Sequence, residues 1–214
     1  MADPVVDKRT SRKERELAFR VDLVLDAALE VFMSQPFAEA RIEDIAQRAE
    51  LSVGTLYNLF DSKEQIYKAA VSRQQSRFFD RANAYLDRTD DPTEQLHEFI
   101  RAFFDHVAEN FAAWRFHVYA SAGLSATVRN ELSAEVAADS RVFLGRLIGI
   151  CQAGIGTGAF RAGIDPLLMA VAIHSVPHSF LGIPFQNNDP NVMPLIPKAT
   201  EAVKRIVGAD VDDA

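Results

Sequence analysis

The chain has 214 residues, 48% hydrophobic and 25% charged, with a formal net charge of −7, an ordinary balance for a soluble globular protein long enough to bury a full core. Its longest purely apolar run, residues 167–173, is far short of the roughly 20 residues a membrane helix needs, and with a charged N-terminus no secretory signal is expected. The single cysteine, Cys151, excludes an internal disulfide and suits a reducing cytoplasm.

Residues 8–20 hold six Lys and Arg against two Glu. They read equally well as a basic arm that tracks phosphates or enters a minor groove and as a solvated terminus. A first helix is predicted over about residues 18–34, burying Val21, Val24, Leu25, Ala28, Val31 and Phe32 and ended by Pro36. In residues 41–63, Ile42, Ile45, Ala46 and Ala49 follow the i, i+3, i+4, i+7 spacing of a short helix. Ser52 then caps a second short helix that turns Leu56 and Phe60 inward. Its outer face carries Val53, Gly54, Thr55, Tyr57 and Asn58. Two short helices across a tight turn, the second exposed, have the geometry of a helix-turn-helix that places its second helix in the DNA major groove.

This segment resembles the DNA-binding head of the TetR family of bacterial transcription regulators. Ile45, Ala46, Ala49, Ser52, Gly54, Leu56, Tyr57, Phe60, Lys63 and Glu64 stand where the family pattern has those residues. The sequence departs from it at Arg41 (usually a capping Thr), Glu50 (usually the turn Gly) and Leu59 (often aromatic or His). Glu50 must adopt a turn conformation that costs about 1 kcal/mol more than it does for Gly. The candidate DNA contacts are Arg41, Ser52, Val53, Gly54, Thr55, Tyr57, Asn58 and Lys63. Tyr57 suits a phosphate or a thymine methyl, Thr55 and Asn58 suit base edges, and Lys63 a phosphate at the start of the next helix.

Asp61, with Glu64 three residues on, is expected to cap a long connecting helix over residues 61–88 that buries Ile66, Tyr67, Ala70, Phe78, Ala82 and Leu86. After RTDDP, Asp91 and Pro92 open a helix with a broad apolar face: Leu96, Phe99, Ile100, Phe103, Phe104 and Val107. Further helices are predicted over about 111–122, 126–153 (burying Val128, Leu132, Val136, Val142, Leu144, Leu147 and Ile150), 166–181 and 194–207, with residues 154–166 as a loop. The total is an all-α chain of about nine helices. Residues 1–63 form a basic arm and three-helix head, and residues 64–214 a larger body.

The resemblance implies that the body binds a small effector and that its last two helices pair with a second subunit. The run 167–183 is apolar nearly all round and so wants partners on more than one side, in a dimer or within a monomer. Phe99, Phe103, Trp114, Phe116, His117, Tyr119 and Phe143 are the candidate effector contacts, with His106 or Arg115 as further polar anchors. Aromatic residues at helical spacing also simply fill cores.

His174 and His178 are one turn apart, but no third ligand stands near them, so no metal site is expected. The glycines at 154, 156 and 158 follow no strand, which argues against a nucleotide loop. No catalytic pattern is present, and neither a cofactor nor a membrane is implied. The expectation is a cytoplasmic, ligand-responsive regulator, a repressor that binds a near-palindromic operator as a homodimer. The alternative is a lipid- or small-molecule-binding protein of the same fold without a DNA role.

Overall fold

Apolar residues at helical spacing become helices throughout the computed structural model, which describes residues 8–114 and 126–208, with side chains over 12–114 and 140–208. The helices are α1 (Lys8–Ser34), α2 (Ile42–Arg48), α3 (Val53–Leu59), α4 (Lys63–Leu86), α5 (Pro92–Glu109), α6 (Ala126–Thr157), α7 (Pro166–Ser179), α8 (Gly182–Asn187) and α9 (Ile196–Val207). A 3-10 turn, Met193–Leu195, leads into α9. Residues 111–114 are also helical; the rest of the helix expected at 111–122 lies outside the described residues. No strand occurs among the described residues, so the chain is all-α.

It divides into two compact units, and the division falls inside α4, between Arg73 and Gln74, and again inside α6, between Asn130 and Glu131. In the first unit, α1 packs on α2 and α2 on α3. Its core holds Val24, Ala28, Phe32, Ile45, Leu56, Ile66 and Tyr67, all essentially inaccessible. Phe32, Phe37 and Tyr67 form a ring cluster with centroids 5.3–5.6 Å apart. Arg73 donates to both Asp22 and Asp26, fastening α1 to the middle of α4.

In the second unit, α9 packs against α5 and α7. The predicted apolar face of α5 is fully buried, together with Phe143, Leu147, Ile150 and Cys151 from α6 and Met169, Ala170 and Ile173 from α7. Burial pushes the Cys151 thiol up to about 11, which leaves it an inert core group.

Five expectations need correction. Helix α1 starts at Lys8, not near residue 18, so residues 8–17 are helical rather than a separate arm. Lys, Arg and Glu are good helix formers, and Glu16 pairs with Arg20 at 2.7 Å. The cap of α4 is Ser62 rather than Asp61: Ser62 Oγ accepts from the Gln65 amide at 3.2 Å. Gln65 Oε1 in turn accepts from the Asp61 amide at 3.0 Å, so Gln65 rather than Glu64 reaches back to the residues before the helix.

Val142 is 80% exposed rather than part of a buried stripe. Helix α6 also runs on to Thr157, and Gly154 lies inside it facing Phe160, where a Cβ would come within 2.1 Å of that ring. The helix predicted over 166–181 breaks after Ser179. The Phe180 and Leu181 amides reach back three residues rather than four, to the Pro177 and His178 carbonyls, tightening the turn before α8.

The caps at Asp91 and Asp165 are as expected. Asp91 accepts from the Thr93 and Glu94 amides, both at 2.9 Å. Asp165 accepts from the Leu167 and Leu168 amides at 2.8 and 3.2 Å.

Candidate nucleic-acid interface

Helix α3 is only seven residues long, and one buried side chain, Leu56, seats it. The turn before it depends on Glu50, whose φ of 55° lies in the left-handed region that favours Gly. There the Glu50 amide bonds the Gln47 carbonyl at 3.2 Å and the Leu51 amide bonds Ala46 at 3.0 Å. Ser52 follows in extended conformation and caps α3, accepting from the Thr55 amide at 3.1 Å. The Ser52 and Thr55 hydroxyls are also bonded to each other at 2.8 Å. Those two hydroxyls thus hold the start of the helix, and Thr55 still presents its methyl group.

The outward side of α3 carries Gly54, Tyr57 and Asn58, all exposed, with Val53 and Thr55 half-buried. Tyr57 is 54% exposed, so its ring is not spent on packing against α1. A Cβ at Gly54 would meet nothing nearer than Ser52 Oγ at 3.8 Å; the fold itself does not demand glycine there. Arg41, the N-cap of α2, makes no side-chain cap bond and lies 3.5 Å from Glu43. Arg48 pairs with Glu30 at 3.0 Å.

Lys63 has a second occupation that its position in sequence did not suggest. Its ammonium donates to the Phe37 carbonyl at 2.7 Å and the Ala40 carbonyl at 2.8 Å. Only its third donor and its backbone amide remain for a phosphate. The spacing of 23 and 26 residues hides this bond from any local reading.

The effector candidates fall in the second unit. Phe99, Phe103 and Phe143 are buried and Trp114 partly so. Phe103 meets Trp114 with ring centroids 5.5 Å apart, and Phe99 meets Phe143 at 5.6 Å. Phe116, His117 and Tyr119, like Arg115, lie outside the described residues. Sequence reasoning weighed His174 and His178 only as metal ligands, whereas the structure sets both among these rings. Phe103 is 4.6 Å from His178 and Phe99 is 6.3 Å from His174. Their position one turn apart, on a helix opposite an aromatic one, was the available signal. Among the described residues no three His, Cys, Asp or Glu converge as a metal set.

Residues 24–70 match the family model for bacterial regulatory proteins, tetR family. The chain is 32% identical over 92 residues to the HTH-type transcriptional activator FasR of Mycolicibacterium smegmatis, across 43% of this chain and 42% of that one. It is 26% identical over 148 residues to the HTH-type transcriptional repressor KstR2 of the same organism, across 69% and 71%. The first of these matches spans less than half of the relative's length. The transcriptional regulator FadR from Bacillus subtilis, solved in complex with stearoyl-CoA, superposes with a TM-score of 0.73 over 88% of this chain and 98% of that one. Identity there is 20%, and the likeness is one of fold. The helix-turn-helix head is thus similar to that of the tetR family of bacterial regulatory proteins, and the all-α fold is similar to that of FadR.

Proposed function

We propose that this protein is a cytoplasmic, ligand-responsive transcription regulator, a repressor that grips a near-palindromic operator as a homodimer. Residues 1–63 carry DNA binding, and residues 64–214 carry effector binding and dimerisation. The observation that supports this best is the outward side of α3, left open by a helix seated on Leu56 alone. In the groove, Tyr57 takes a phosphate or thymine methyl, Asn58 and Thr55 face base edges, and Gly54 admits the backbone. Val53 adds apolar contact, Ser52 holds the helix start, and Arg41 and Lys63 supply phosphate contacts from α2 and α4.

Dimerisation through the C-terminal helices is supported by apolar residues left outside on α7 and α8. Leu168 is 64% exposed and Ile183 72%, with Leu167 and Val171 beside them. Such a patch wants a partner. The effector is small and largely apolar, as suits the aromatic interior of the second unit, and the stearoyl-CoA held by FadR of the same fold supports a long aliphatic chain. A hundredfold loss of operator affinity needs only about 2.7 kcal/mol of differential effector binding between two states.

The ion pairs of Arg41 with Glu43 and Arg48 with Glu30 draw positive charge away from phosphates. They favour the alternative of a small-molecule binder without a DNA role. A gel-shift titration on DNA upstream of the gene decides: selective binding that weakens steeply with salt supports the regulator, and no selective shift at low salt supports the alternative.

A further inference from the structure

We propose that His106 and His178 recognise an uncharged hydroxyl on the effector, so that the effector is an apolar molecule carrying an alcohol group rather than an anionic head. This rests on the reading that the second unit binds an effector.

The two imidazoles meet at Trp114, with ring centroids 6.1 Å from it for His106 and 5.9 Å for His178. Phe78 lies 5.6 Å from His106 and Phe103 4.6 Å from His178. His106 is 3% exposed, and its Nε2 is buried with no hydrogen-bond partner among the described residues. A buried polar atom left unbonded is costly, and native proteins rarely keep one without a use.

His178 is complementary. Its Nδ1 lies 3.0 Å from the His174 carbonyl oxygen; a carbonyl only accepts, so Nδ1 carries the proton and the neutral ring keeps a lone pair on Nε2. His178 is exposed on its outer side, while Phe103 and Trp114 pack against its ring. Burial, with the neighbouring His174 adding to it, still pushes its pKa down to about 4.

The neutral His106 ring can carry its proton on the unpartnered Nε2; a hydroxyl then accepts a hydrogen bond from that N–H and donates one to the Nε2 lone pair of His178. An ether can do only the first. A carboxylate donates to neither and finds two uncharged rings around it.

Trp114 is the only tryptophan in the chain, so its emission reports on this cluster directly. The full chain is titrated with decan-1-ol, with decyl methyl ether and with decanoate. The alcohol is expected to bind roughly tenfold or more tighter than either of the others, the scale of one satisfied buried hydrogen bond. In His178→Phe and His106→Phe that advantage falls to about one while ether binding is kept; should His106→Phe misfold, the more accessible His178→Phe carries the comparison. Ether or decanoate matching the alcohol, an advantage that survives in the folded variants, or no response to any probe overturns the proposal. Gel shifts on the same samples separate the two ideas. An intact alcohol advantage without DNA binding removes the regulator reading alone, and selective DNA binding without the advantage removes only this inference.

Discussion

Lys63 closes the corner between α1 and α2 on Phe37 twice over: its ammonium donates to the Phe37 carbonyl at 2.7 Å and lies 4.4 Å from the centroid of the Phe37 ring. The same ammonium reaches the Ala40 carbonyl at 2.8 Å. A residue expected at the DNA surface is therefore also a brace of the head. Lys63→Met removes two charge-assisted bonds and leaves both carbonyls to water. The expected loss of stability is about 2 kcal/mol, read by denaturant unfolding. An unchanged midpoint would mean that the brace contributes nothing.

The turn at Glu50 offers the opposite change. A φ of 55° strains a residue with a Cβ, so Glu50→Gly is expected to stabilise the protein by about 1 kcal/mol, with α2 and α3 unmoved. Thermal unfolding checks this, and a lower midpoint would count against a strained turn.

Gly54 separates folding from DNA binding. Its open surroundings mean that Gly54→Ala costs the fold no clash and gains helix propensity, up to about 1 kcal/mol. If the α3 backbone lies close to DNA, the same variant loses affinity. A protein that melts higher and binds weaker is the expected outcome.

His106 gives the protein a pH dependence. Burial, helped by Arg81 and Arg77 and opposed by Glu109, pushes its pKa from 6.5 down to about 4. Between those values the unfolded chain binds the proton and the folded chain does not, so stability falls as pH drops from about 6.5 towards 4. The loss attributable to this group is about 2 kcal/mol at pH 5. His106→Phe should flatten that part of the stability profile.

Most of the architecture could be read from the chain because it is local. The buried faces of α4 and α5, the Asp91, Asp165 and Ser52 caps and the exposure of Tyr57 all follow from spacing and capping chemistry. What escaped was tertiary or depended on a choice between near-equal local options. Ser62 and Asp61 compete for one cap, and the position of Gln65 decides. Lys8–Leu17 lacks an apolar stripe yet is helical by propensity. The bonds of Lys63 to Phe37 and Ala40, and the meeting of His106 with His178 at Trp114, join residues too far apart in sequence for periodicity to reveal.

The most direct measurement is a footprint of the purified protein on DNA upstream of its gene, with the wild type beside Tyr57→Ala. The expected result is protection by the wild type of two half-sites with centres about 34–36 Å apart, one turn of the duplex. Tyr57→Ala should lose that protection while its circular dichroism stays helical. Equal protection by the variant, or no site-selective protection by the wild type at low salt, would contradict the assignment of α3 as the DNA-reading helix.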